Sequence, residues 1–171
     1  ESFALGTSNL DSRFKTGLVG ATHTNIDHAF RISARDSGWS LHDKSTPSAV
    51  TLQFKNAAAK GVLIHLVAFR VPKGTTGKMI LDGRKAAWDS SYNDLTYTQN
   101  AATKILGSAG HILQFNGLTK SKKPIRNFTR EVAWVRGDSG YLMNVIALEG
   151  PFKTHMPHFE KLLKRFRFLS E

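Results

Sequence analysis

Between Phe128 and Leu148 two runs of extended-chain character flank the turn residues Gly137-Asp138-Ser139-Gly140. In an extended chain successive side chains point to opposite sides, so Phe128, Arg130, Val132 and Trp134 share one face, and Thr129, Glu131, Ala133 and Val135 share the other. A Gly/Asp/Ser turn between two such runs joins neighbouring antiparallel strands. This hairpin, predicted over Phe128–Arg136 and Tyr141–Leu148, is the strongest in the chain and demands a second layer to cover it.

Other segments supply strands and two helices. Phe30-Arg31-Ile32-Ser33 alternates, Asp36-Ser37-Gly38 is a turn signal, and Trp39 and Leu41 start a second short strand. Val50, Leu52 and Phe54 recur at period two. The near-continuous apolar run Val62 to Val71 predicts a central strand covered on both faces. After Pro72-Lys73-Gly74, Thr75 or Thr76 caps a helix placed near Lys78 to Asn93, with Leu81, Trp88 and Tyr92 at helical spacing. Leu95 to Asn100 reads as irregular, followed by strands over Thr103–Leu106 and His111–Leu118 around a Gly107-Ser108-Ala109-Gly110 turn.

Gly150-Pro151 is read as the end of the last strand, and Pro157 as the first turn of a closing helix. Phe159, Leu162, Leu163 and Phe166 give that helix an i, i+3, i+4, i+7 stripe. Hairpin-linked strands with few helical crossovers imply an α+β domain: an antiparallel sheet with helices packed on it, layered α/β/α. The expected organisation is a lead-in segment or linker over residues 1–28, in which Leu18 and Val19 dock on the domain, and one domain over residues 29–171.

These strands and their order resemble the PsbP-like superfamily, which includes the extrinsic PsbP protein of photosystem II, a Ran-binding nuclear-import factor and bacterial secreted relatives. Four features carry the resemblance. They are Phe30-Arg31-Ile32-Ser33 followed by Ser37-Gly38-Trp39; Val50 to Phe54 followed by Val62 to Phe69; Arg130 to Val135 with Gly140 to Val145; and the ending Phe159 to Phe168. The resemblance spans roughly residues 29–169. It implies the layered fold and a non-enzymatic binding or assembly role, and transfers no binding residue.

Charge narrows the partners. With 24 Lys+Arg against 13 Asp+Glu the chain carries a formal charge of +11 over 171 residues. Such a field attracts acidic proteins, acidic glycans, anionic lipid surfaces or nucleic acid. Lys120, Lys122, Lys123, Arg126 and Arg130 form the densest positive run and are the candidate partner-binding face; Lys161, Lys164, Arg165 and Arg167 form a second run. Nucleic-acid binding would add exposed aromatics for stacking, yet Phe115 and Phe128 beside the first run have the periodicity of core residues.

The chain has no cysteine, which excludes disulfides, thiol nucleophiles and cysteine-ligated metals and fits a bacterial extracytoplasmic protein. No apolar run approaches the roughly 20 residues of a spanning helix. No glycine-rich phosphate loop, dinucleotide fingerprint or paired-carboxylate arrangement is present, so no cofactor is expected.

Three further signals carry alternative chemistry. Gly137-Asp138-Ser139-Gly140 is similar to the surroundings of a serine-hydrolase nucleophile, which would need a histidine base; His23, His28, His42 and His65 lie upstream. His155, His158 and Glu160, and separately His23, Asp27 and His28, are loose sets of metal-ligating types, and neither supplies a closed site. Arg136-Gly137-Asp138 and the sequon Asn127-Phe128-Thr129 fall in or near turns. The expected function is a non-enzymatic accessory domain meeting an acidic partner; the alternatives are a nucleic-acid-binding protein and a hydrolase using Ser139.

Overall fold

The hairpin that dominates the sequence closes more tightly than the turn residues suggest. In the structure, a computed structural model describing residues 15–169, Arg136 pairs directly with Ser139. The turn is therefore Gly137-Asp138 alone. Gly137 takes φ +62°, which a type II′ turn requires at its first central position.

The strands, in chain order, are β1 (Gly17–Val19), β2 (Thr22–Asn25), β3 (Phe30–Ser33), β4 (Ser40–Asp43), β5 (Val50–Lys55), β6 (Leu63–Arg70), β7 (Tyr92–Ile105), β8 (Ser108–Thr119), β9 (Arg126–Arg136), β10 (Ser139–Ala147) and β11 (Arg167–Phe168). Helix α1 (Gly77–Ser91) lies between β6 and β7, and α2 (Glu149–Leu163) between β10 and β11. Strands β4-β5-β6-β10-β9-β8-β7 form an antiparallel sheet of seven, and β1-β2-β3-β11 a separate sheet of four. Helices α1 and α2 pack on opposite faces of β9. The result is the α+β architecture expected from the sequence, an antiparallel sheet with helices packed on it.

The main core lies between the α2-side face of the large sheet, α2 and the small sheet. Trp134, Tyr141 and Phe166 meet there with ring centroids 5.0 to 5.5 Å apart, and Phe30 stacks on Phe166 at 5.3 Å. A smaller core under α1 holds Leu81, Leu113, Phe115, Ala133 and Leu142. Thr76 caps α1 by accepting from the Met79 backbone N–H at 3.2 Å. Gly77 then lets the helix start directly against β9: a Cβ there would lie 2.3 Å from the Ala133 carbonyl oxygen.

Four segments differ from expectation. Residues 95–100 are not irregular but belong to β7, a single strand from Tyr92 to Ile105 with register shifts at Asn93/Thr96 and Tyr97/Gln99. Its polar residues suit an edge strand with only one neighbour. The β7–β8 turn is Leu106-Gly107, both at positive φ (48° and 82°), a type I′ hairpin two residues earlier than the Gly/Ser signal implied. Helix α2 starts at Glu149, so Pro151 and not Pro157 stands in the first turn, where a missing N–H costs nothing; Pro157 is internal. Strand β6 is fully covered on one face only, because α1 lies mainly over β8 and β9; Ile64, Leu66 and Ala68 are buried, whereas on the other face Leu63 is exposed, His65 and Val67 are half-buried and only Phe69 packs on the smaller core.

The lead-in segment carries two strands. Residues 17–25 build β1 and β2, Leu18 packs on the core and Val19 faces solvent, while residues 1–14 of that segment lie outside the described chain.

Candidate functional site

The β8–β9 connection, residues 120–125, is held shut by its own hydrogen bonds. Thr119 N–H donates to the Ile125 carbonyl and Ile125 N–H donates to Thr119 Oγ1, both at 3.0 Å; Ser121 Oγ donates to the Lys123 carbonyl at 2.7 Å. This closure leaves Lys122 and Lys123 exposed at the tip, with no carboxylate partner among the described residues. Exposed Ile125 lies beside them. Lys120 Nζ donates to the Ser90 carbonyl at 2.7 Å, at the C-terminal end of α1 where the helix dipole favours a cation. Arg126 is bound to the Asp94 carboxylate and donates to Asn116 Oδ1 at 2.7 Å.

Arg130 is separated from this group. It lies four positions further along β9, about 13 Å at the usual strand rise. Its guanidinium contacts Glu160 of α2 at 3.0 Å, and its Nε is buried without a partner. The loop therefore assembles Lys120, Lys122, Lys123 and Arg126, while Arg130 joins β9 to α2. In the second basic run, Lys161 and Lys164 are exposed, and Arg165 and Arg167 donate to the Arg35 and Lys164 carbonyls. Phe115 is buried and Phe128 packs on Phe152 at 5.9 Å, so neither offers a free face for base stacking.

A second concentration of chemistry lies where β2, the β4–β5 loop and the end of β6 meet. A polar cleft of about 430 Å³ is lined by His23, Asp27, His28, Asp43 and Arg70, among others. His28 Nδ1 and Ser139 Oγ are 2.9 Å apart across 111 positions of sequence, and the Tyr141 hydroxyl donates to the His28 carbonyl. His23 Nε2 faces Asp43 Oδ2 at 3.2 Å. Burial lowers the pKa of both histidines; beside His28 the Arg70 charge adds to the shift, and beside His23 the Asp43 carboxylate opposes it. Burial pushes the Tyr141 phenol up to about 12.

Ser139 is not placed as an exposed nucleophile. The Ser139–His28 contact has the distance of a nucleophile–base pair, but Ser139 is only 3% exposed and does not line the cleft. The ring edge left for the cleft is Nε2, and no carboxylate bonds to the imidazole among the described residues. A nucleophile must reach the substrate carbonyl, with its base oriented by a third group. Ser139 instead fixes the His28 ring.

The remaining signals resolve into structural contacts. His155 and His158 share a hydrogen bond through their Nδ1 atoms at 3.0 Å, while Glu160 turns to Arg130. His23, Asp27 and His28 all line the polar cleft, and no three His, Asp or Glu side chains among the described residues are grouped to hold a metal ion. In the Arg-Gly-Asp triplet Arg136 covers the Phe168 ring at 4.4 Å and Asp138 pairs with Arg70 at 2.5 Å. Asn127 of the sequon donates to the Tyr92 hydroxyl at 3.2 Å. No local pattern signals the His28–Ser139 contact, because it depends on how the small sheet sits on the large one.

The architecture is a PsbP-like fold. Among solved structures, it is similar to the solution structure of cyanobacterial PsbP from Synechocystis sp. PCC 6803, with TM-score 0.62 and 12% identity over 93% of this chain and 98% of that one. It is also similar to a Pseudomonas aeruginosa protein of unknown function (TM-score 0.52, 12% identity, 74% of this chain and 94% of that one). An immunity protein of the type VI secretion system of the same organism matches at TM-score 0.51 and 11% identity, over 78% of this chain and 47% of that one. No family model and no curated protein sequence matches the chain. No helix among the described residues is long and apolar enough to cross a membrane.

Proposed function

We propose that this chain is a non-enzymatic binding or assembly domain that meets an acidic protein partner through a basic face centred on Lys120, Lys122, Lys123 and Arg126. The observation that carries the reading is the closed β8–β9 loop, which projects Lys122 and Lys123 into solvent unpaired on a chain of charge +11. Burial supports it as well: most large apolar side chains are taken up by two cores, which leaves recognition mainly to polar and charged groups. The solved neighbours include an immunity protein, which favours a protein partner over a glycan or lipid surface. A bacterial, extracytoplasmic setting fits the cysteine-free composition.

The test is a charge reversal, Lys122→Glu/Lys123→Glu, assayed by capture from the native host with mass spectrometry and then by titration with the captured partner. The double variant loses at least tenfold in affinity, and the wild-type affinity falls as salt is raised. Full retention of affinity by the double variant defeats the assignment. Binding of nucleic acid in preference to any acidic protein, with a steep salt slope, replaces it with the alternative reading.

A further inference from the structure

A sheet has two edges, and here they are treated differently. Strand β4 is short, four residues, and ends on Asp43. Strand β7 is 14 residues long, contains no proline and carries only Asp94 and Lys104 as charges. An edge strand exposes a row of unpaired N–H and C=O groups, and proteins ordinarily blunt such rows with charge, proline, bulges or brevity. The irregularities of β7 end at Gln99, and from Gln99 to Ile105 its register with β8 is continuous.

The type I′ turn fixes which backbone groups are free. Such a two-residue turn closes on a hydrogen-bonded pair, here Ile105 and Ser108. Alternation then directs the N–H and C=O of Thr103, Ala101 and Gln99 towards β8, and those of Lys104, Ala102 and Asn100 away from the sheet. Small side chains at Ala101, Ala102 and Thr103 leave this row unscreened.

The flanks are cationic and partly apolar. At the far end of β7, Tyr92 pairs with Thr119, the residue that leads into Lys120, Lys122 and Lys123. At the near end a cavity of about 200 Å³ is lined by Ile105, Leu106, Ile112 and Leu163, with Lys104 and Lys164 beside them. A second copy of this chain would bring +11 against +11. The geometry points to β7 as a docking edge that takes an extended acidic segment of a partner protein as an eighth strand, with backbone pairing at Asn100, Ala102 and Lys104 and an apolar side chain seated in the cavity by Leu163. This rests on the acidic-partner reading and specifies how that partner is held.

The probe is a blocked, alternating Glu–Val peptide spanning the length of the regular run, compared with the same peptide N-methylated at every amide. On the protein the matching change is Ala102→Pro, which removes an outward donor from an edge strand and leaves the ladder to β8 intact. The expected result at low salt is binding of the unmodified peptide with at least tenfold slower amide exchange at Asn100, Ala102 and Lys104. N-methylation of the peptide and Ala102→Pro each weaken binding at least tenfold. The exchange measurement uses the unaltered protein, so a poorly folded proline variant does not remove the test.

Equal binding by the methylated peptide and the proline variant overturns strand addition while leaving charge recognition standing. Strand addition is likewise overturned if poly-glutamate binds and the Glu–Val peptide does not. Silence from both acidic probes at low salt removes the acidic-partner reading and strand addition together. A self-association by sedimentation that Ala102→Pro abolishes assigns the edge to a second copy and overturns the proposal.

Discussion

The Arg84 guanidinium donates to Glu131 Oε1 at 2.6 Å, from a helix on one layer to a carboxylate on β9 that has no exposure to solvent. Trp88 Nε1 donates to the other carboxylate oxygen at 3.1 Å, and the Arg84 guanidinium lies over the Trp88 ring at 4.7 Å. One buried charge thus fixes both the position and the rotation of α1. Removing Arg84 with Arg84→Ala leaves Glu131 buried with only the indole donor and is expected to cost about 2–4 kcal/mol. The double variant Arg84→Met/Glu131→Leu recovers most of that loss. Urea unfolding midpoints measure both, and a neutral Arg84→Ala denies the pair its role.

Two glycines of α1 predict opposite outcomes from the same substitution. At Gly77 a methyl group collides with the Ala133 carbonyl, so Gly77→Ala is expected to destabilise by about 1–3 kcal/mol through a forced backbone shift. At Gly83 a Cβ meets nothing within 4 Å in the middle of the helix, and Gly83→Ala is expected to stabilise by about 0.5–1 kcal/mol. Thermal melts should move Tm in opposite directions for the two variants.

Acid should weaken the fold through its histidines. Burial lowers the pKa of His23, His28, His65 and His155 from 6.5. Their neutral forms are favoured when folded, so the unfolded chain takes up protons first as pH falls. The stability they contribute is complete above the unfolded value and is lost as pH drops from there towards the folded values. The urea midpoint is expected to be lower at pH 5.5 than at pH 7.5. Replacing His28 by Gln should shrink the pH-dependent part, and an unchanged dependence would sink this assignment.

Ser139→Ala separates structure from catalysis. The hydroxyl meets a buried imidazole, so its loss is expected to cost about 1–2 kcal/mol, measured by chemical unfolding. Partner and peptide affinities should not change, since Ser139 lies neither at the β8–β9 loop nor on β7.

Where a residue's neighbours in sequence determine its environment, the sequence was readable. The β9–β10 hairpin, the Thr76 cap and the Phe159-Leu162-Leu163 stripe all follow from local period and turn chemistry. Sequence and structure part where a third element decides. The 95–100 segment looks irregular until β8 pairs with it, and Val62 to Val71 looks doubly covered until α1 is found over β8 and β9. Gly150-Pro151 reads as a stop, although proline in a first turn also begins a helix. For the site, the lysine run was visible as composition, but the separation of Arg130 from it required α2 to supply Glu160. His28 and Ser139 meet only in the assembled protein.

The small sheet joins strands from both extremities of the described chain, since β11 pairs Arg167 and Phe168 with Arg31 and Phe30. Phe166, at the centre of the aromatic cluster, belongs to the same closing segment. The main core, unlike the smaller one under α1, therefore cannot be completed until that closing segment has been made.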